Sequence, residues 1–250
     1  MKTRRNRFVI CMLVFAVLLA IPFGSRAAGN ERKLTIMVYM CGSNLESEGG
    51  AATADINEMI AATKDGCDAT LLVMTGGSLR WASGADPNTI RILEIRKGRS
   101  RELTQMGQAD MGNGRTLTSF LAFGAERFPA ENYALILWDH GGGPLEGVCW
   151  DEVFSMNHMS LPGLQDAIAS AGLGKKLSWI GFDACLMGSL EVAAELSDLA
   201  DYMIASEEKE PASGWNYSFL QGLTGEEAAE EIGRKIVDAY FEGNESKQTK

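Results

Sequence analysis

The 250-residue chain has only two histidines, His140 and His158, so few arrangements of imidazole chemistry are open to it. It has no CxxC pair, and its cysteines are widely and irregularly spaced, which argues against a zinc site. It has no GxGxxG, and no Walker lysine follows the one triple glycine, Gly141-Gly142-Gly143, which argues against a phosphate cradle. It has no Pro/Gly/Ser-rich tract and no internal repeat, so nothing marks a linker, and one domain from about residue 30 to the end is the simplest organisation. Beyond residue 23 no stretch is apolar enough to cross a bilayer.

What is present begins with a leader. Lys2, Arg4, Arg5 and Arg7 precede an apolar run from Phe8 to Phe23. Ser25 and Ala27 then fit the small-x-small cleavage rule, so residues 1–27 read as a secretory signal peptide, with an uncleaved anchor as the alternative. The expected location is secreted or cell-envelope, with no membrane contact in the mature form. The leader carries five of the 23 basic residues and none of the 33 acids. Its removal leaves 18 bases against 33 acids, a net charge of −15. Such a charge repels nucleic acid and anionic membrane. Cys11 leaves with the leader; Cys41, Cys67, Cys149 and Cys185 remain. Four cysteines in an exported protein allow three disulfide connectivities, but a domain this long folds without them, so free thiols with one reactive member are an equal reading.

Short apolar runs alternate with amphipathic stretches. The sequence predicts strands over 34–40, 70–74, 89–95, 133–138, 177–182 and 202–205, with 89–95 in an edge hairpin. It predicts helices over 51–62, 116–127 (capped by Thr116), 160–171, 189–196 and 225–241, with a polar tail from Asn244. This alternation means an α/β domain with a mostly parallel sheet and helices on both faces.

Open parallel sheets bind ligands beyond the carboxyl ends of their strands. Two predicted strands end in reactive groups: YALILW in Asp139-His140, and LSWIGF in Asp183-Ala184-Cys185. Parallel pairing brings a thiol and an imidazole to one rim, as nucleophilic catalysis requires. His158 lies in a polar connection, where a surface or capping role is the default. The glycines after His140 let backbone approach a substrate and aim N–H groups at an oxyanion. Cys185 is read as opening a helix whose N-terminus would favour thiolate. Cys41, also at a strand end, is its rival. A metal site from Asp139, His140 and Asp183 lacks the usual helical spacing.

The stretches Met40-Cys41-Gly42-Ser43-Asn44-Leu45-Glu46, Trp138-Asp139-His140-Gly141-Gly142-Gly143 and Phe182-Asp183-Ala184-Cys185-Leu186-Met187 resemble the clostripain family of cysteine peptidases, relatives of the caspases, gingipains and legumains. Ala205-Ser206-Glu207-Glu208 and Glu210-Pro211 through Gly214-Trp215 resemble it too. The resemblance implies a caspase-like three-layer sandwich and a Cys–His dyad without an obligatory third member. Carried over, Cys185 is the nucleophile, His140 the acid/base, and the N–H groups of Gly141 and Cys185 the oxyanion hole. Family members tend to cleave after Arg or Lys, and Asp183 matches one acid of the specificity pocket.

Three departures qualify this. The place of a second pocket acid, just before Gly214-Trp215, holds Ser213. From Gly141 to Gly174 there is no Lys or Arg, so self-cleavage after a basic residue is not expected before Lys175 or Lys176. Family chains usually continue into further strands beyond the helix that ends near Phe241, so a C-terminally incomplete chain is one expectation and a short form the other. Some relatives depend on calcium; Glu207, Glu208 and Glu210 are compatible with that, though no cofactor or metal is expected. The leading reading is a monomeric endopeptidase acting on protein or peptide substrates. The alternatives are an inactive secreted binding or accessory protein on the same fold, and a non-peptidase hydrolase using the same thiol.

Overall fold

A strand buried on both faces needs apolar side chains at consecutive positions. The first strand meets that demand: in β1 (Arg32–Cys41) every residue from Leu34 onward is buried. The computed structural model describes residues 32–248 except 212, with side chains as far as 244. These belong to one compact unit, 31–250. The expected signal peptide lies outside the described residues.

The strands after β1 are β2 (Thr70–Gly76), β3 (Thr89–Arg96), β4 (Arg99–Gly107), β5 (Ala130–Trp138), β6 (Val148–Asp151), β7 (Asn157–Met159), β8 (Trp179–Asp183) and β9 (Met203–Ile204). The helices are α1 (Ser43–Gly49), α2 (Ala51–Ala62), α3 (Gly114–Arg127), α4 (Gly143–Glu146), α5 (Leu161–Ala169), α6 (Leu190–Leu196) and α7 (Ala229–Gln248), with a 3-10 turn at Tyr217–Leu220. Among the described residues, seven strands form one sheet in the order β4-β3-β2-β1-β5-β8-β9, and β6-β7 form a separate hairpin. β2, β1, β5, β8 and β9 run parallel. β3 and β4 run antiparallel at one edge, as the expected edge hairpin.

Alternate side chains of the sheet serve two cores. Met37, Tyr39, Leu135, Leu137 and Phe182 face α3, α5 and α6 through Phe120, Leu164 and Val192. Ile36, Val38, Met40, Ile136 and Trp179 face α2, the 3-10 turn and α7 through Met59, Tyr217 and Ile236. The result is the expected α/β sandwich with a mostly parallel sheet between helical layers. Among the described residues no helix is long and apolar enough to cross a membrane.

Several local expectations need correction. Asn113, not Thr116, caps α3: its side chain accepts from Arg115 N at 3.0 Å. The Thr116 hydroxyl instead donates to the Asp110 carbonyl at 2.6 Å. β4 has a largely exposed polar sequence and so lacks a hydrophobic signal. The polar segment after Asn244 continues α7 to Gln248, since Glu245, Lys247 and Gln248 are good helix formers.

Gly181 in β8 leaves room for an aromatic ring. A Cβ there would lie 2.6 Å from Cη2 of Trp215, a ring seated between sheet and α7. Gly181→Ala is expected to lower stability by about 1–3 kcal/mol through overpacking. Urea unfolding measures this, and an unchanged midpoint would mean that Trp215 does not rest on the sheet.

Candidate active site

In this sheet β1 is followed by β2 on one side, and the chain later returns to place β5 on the other. The carboxyl ends of β1 and β5 therefore flank a reversal of strand order, where open α/β sheets form their crevices. The strands end almost level. Met40 is opposite Trp138, and Trp138 is opposite Asp183. Parallel pairing alone thus delivers Ser43-Asn44, Asp139-His140 and Ala184-Cys185 to one rim.

Asp139 anchors that rim. It is buried, and its carboxylate accepts from the Ser43 hydroxyl and from Trp150 N, each at 2.5 Å. One acid therefore joins the start of α1 to the hairpin strand β6. Ser43 adopts φ 44° to make its contact, a left-handed geometry that costs energy in a residue with a side chain. His140 does not bond to Asp139 through its ring. Its Nε2 lies 2.7 Å from Asn44 Oδ1. An amide oxygen only accepts, so Nε2 carries the proton and Nδ1 keeps its lone pair. Trp150 closes over the imidazole edge-on, with centroids 6.4 Å apart. His158 stacks on Trp150 at 4.9 Å on the exposed side, one layer removed from His140. Burial holds the half-buried His140 imidazole below its ordinary value of 6.5, so its neutral form prevails at neutral pH.

The glycines after His140 serve close approach. A Cβ on Gly141 would overlap the Cys185 carbonyl, so only glycine lets these two backbones touch. The adjacent bridge uses Gly142 N–H to the Gly147 carbonyl at 2.9 Å and Cys149 N–H to the His140 carbonyl at 3.4 Å. Among the described residues, the N–H groups of Gly141 and Cys185 donate to no backbone carbonyl.

Cys185 lies in a turn and does not open a helix. Leu186 takes φ 64°, and α6 starts only at Leu190, capped by Ser189. The expected help from a helix N-terminus is therefore absent from the thiol's surroundings. The segment that follows β9 surrounds it instead. Leu186 N–H donates to the Glu208 carbonyl at 3.1 Å, and Gly188 N–H to that of Ser206 at 2.8 Å. Glu210 N–H points at Cys185 Sγ from 3.3 Å, and the thiol faces the Glu210 carbonyl at 3.8 Å. Cys185 is half-buried, whereas the other free cysteines, Cys41, Cys67 and Cys149, are buried. Burial pushes the rival Cys41 thiol well above its ordinary value, so it is poorly suited to attack as thiolate.

His140, Cys185, Asp139, Asp183, Glu210 and Gly214 share in lining one cavity of about 150 Å³. Asp183 is buried, accepting from Trp215 N at 3.0 Å and from the Tyr217 hydroxyl at 2.9 Å. Ser213 is not among the lining residues; its hydroxyl donates to Asn244 Oδ1 on α7 at 3.2 Å. Glu207 and Glu208 are exposed, while Glu210 turns inward. Among the described residues no group of three or more His, Cys, Asp or Glu could hold a metal ion. Asn44 and Glu210 lie within the family-like stretches, yet nothing in the sequence marks either as a partner of His140 or of Asp183.

The family model for the clostripain family matches residues 38–250. The chain belongs to the clostripain family. It is 27% identical over 223 residues to clostripain of Hathewaya histolytica, covering 75% of this chain and 41% of that protein. It superposes on a secreted C11 cysteine protease from Bacteroides thetaiotaomicron bound to an irreversible peptide inhibitor, with TM-score 0.70 and 24% identity. That match covers 84% of this chain and 58% of the other. An inactive zymogen C11 protease from Parabacteroides distasonis matches with TM-score 0.68 and 23% identity, over 87% and 60% of the two chains. At such identities the structural likeness shows a shared fold. The chain spans 41% to 60% of these relatives' lengths, less than two thirds of each.

Burial raises the Asp139 carboxyl to about 8, against about 3.9 in an unfolded chain. The folded protein therefore retains a proton that the unfolded chain has lost. The stability Asp139 contributes is complete below about pH 4 and falls as pH rises through 8. Asp139→Asn is expected to make the decline in stability between pH 4 and 8 shallower in urea unfolding. An unaltered slope would assign that decline to other acids.

Proposed function

We propose that the chain is a secreted cysteine endopeptidase that cleaves after Arg or Lys, with Cys185 as nucleophile and His140 as acid/base. One observation carries the reading: Cys185 and His140 line the same cavity at the level strand ends, and Asn44 fixes the imidazole there. Family membership supports the reaction class. The leader-like residues 1–27, together with the secreted Bacteroides relative, support export.

In this mechanism the Cys185 sulfur attacks the scissile carbonyl carbon as thiolate, its proton having passed to Nδ1 of His140. The carbonyl oxygen becomes an oxyanion facing the N–H groups of Gly141 and Cys185. The C–N bond then breaks, His140 returns its proton to the leaving amine, and the acyl group remains as a thioester. Water, deprotonated by His140, attacks the thioester and releases the acid product and the thiol. Asn44 acts through His140: it keeps the proton on Nε2, so that Nδ1 is the nitrogen free to exchange protons. Asp183 attracts the cationic side chain preceding the scissile bond.

Fluorogenic Arg- and Lys-peptide amides test the reading. Cys185→Ala is expected to abolish turnover, a loss of at least about a thousandfold. Equal turnover by parent and variant, or none by the parent, would overturn the assignment. Asn44→Ala is expected to lower kcat by about tenfold to a hundredfold, the worth of one charge-assisted hydrogen bond, with little change in KM. Asn44→Gln should recover little, because its longer side chain misplaces the acceptor. A KM effect alone would assign Asn44 to substrate binding.

A further inference from the structure

Two carboxyl groups line the cavity of Cys185 and His140 with no lysine or arginine beside them. Asp183 comes from the end of β8 and Glu210 from the segment after β9, and both line the cavity. No lysine or arginine is among the lining residues, and neither acid takes part in an ion pair among the described residues. Asp183 is held by Trp215 N and the Tyr217 hydroxyl, and Gly214, at φ 56°, passes so close that a Cβ would lie 2.7 Å from its Oδ1. The Glu210 backbone is fixed against Cys185 Sγ, and the residue lines the cavity. Its buried Oε2 finds no hydrogen-bond partner among the described residues.

The surroundings offer partial relief: the Trp215 side chain hydrogen-bonds to Glu210, and Trp215 N and the Tyr217 hydroxyl donate to Asp183, yet none of these groups is cationic. Glu58 on α2 adds negative charge to Asp183. Asp55 acts on Tyr217. Tyr240 on α7 feels Glu210, Asp183 and Cys185 together. Only His140, on the same cavity, can become cationic, and burial disfavours that. Burial pushes both carboxyls up, and the Asp183 charge pushes Glu210 further. Two acids that close to each other retain a proton between them. An uncompensated buried pair is a burden on folding and is found where a ligand supplies the missing charge.

We propose, on the basis of the peptidase reading above, that Glu210 is the second acid of the specificity pocket, binding with Asp183 the guanidinium or ammonium of the residue before the scissile bond. It does from another position what Ser213 cannot. The entering cation replaces the proton of the pair, which leaves to solvent; no other bond changes. Binding of a basic side chain therefore becomes more favourable as pH rises, whereas binding of a neutral isostere does not.

The test compares kcat/KM for matched peptide amides ending in Arg and in citrulline, which has nearly the same shape without the charge, across pH 5 to 9. The Arg-to-citrulline ratio of the parent protein is expected to climb with pH. In Glu210→Gln it is expected to fall by about tenfold or more and to lose most of its pH dependence, with Glu210→Asp intermediate. The pH profiles of the parent need no variant, so they remain decisive if a substitution disturbs the Cys185 turn. Turnover of both substrates with parallel profiles, or an unchanged ratio in Glu210→Gln, would overturn this inference alone. Turnover of neither by the parent would overturn the peptidase reading and this inference with it.

Discussion

The level ending of three parallel strands is the constraint from which the rest follows. Met40, Trp138 and Asp183 lie opposite one another across β1, β5 and β8. β5 and β8 end at Trp138 and Asp183 and β1 one residue further on at Cys41, and the reactive groups stand just beyond. A slip by one residue would turn the side chains of a whole strand to the opposite core, and both faces of these strands are buried. The two hydrophobic cores therefore enforce the register, and the register positions the site. Asp139 then ties the start of α1 to β6, and Asn44, in the same first turn of α1, holds His140.

Charge at this rim is arranged at a cost to folding. Asp139, Asp183 and Glu210 are all raised above the ordinary carboxylate range, chiefly by burial. All three line the same cavity. Asp139 accepts from Ser43 and Trp150, and Asp183 from Trp215 and Tyr217, whereas the buried Glu210 Oε2 finds no partner among the described residues.

Much of this was legible in the sequence where burial writes a pattern. The apolar runs of β1, β2, β5 and β8 marked strands buried on both faces. His140 and Cys185 followed from their places at two of those strand ends. β4 was not legible, because an exposed edge strand such as Arg99–Gly107 needs no apolar period. In sequence Cys185 reads as opening a helix, but Leu186 adopts left-handed backbone and Ser189 supplies the cap four residues later. The roles of Asn44 and Glu210 were hidden for a different reason. Asn44 meets His140 through a side-chain contact across 96 residues of sequence, and Glu210 is brought to the site by a backbone contact with Cys185, 25 residues away. Ser213, singled out by sequence position, instead turns to Asn244.

The central claim, that His140 activates Cys185, is tested most directly by the alkylation rates of the individual cysteines. With iodoacetamide, followed by mass spectrometry of each cysteine peptide, Cys185 is expected to react first in the folded protein. Its rate is expected to fall sharply in His140→Ala, while the buried Cys41, Cys67 and Cys149 stay protected in both. An equal Cys185 rate with and without His140, or earlier labelling of Cys41, would contradict the pairing.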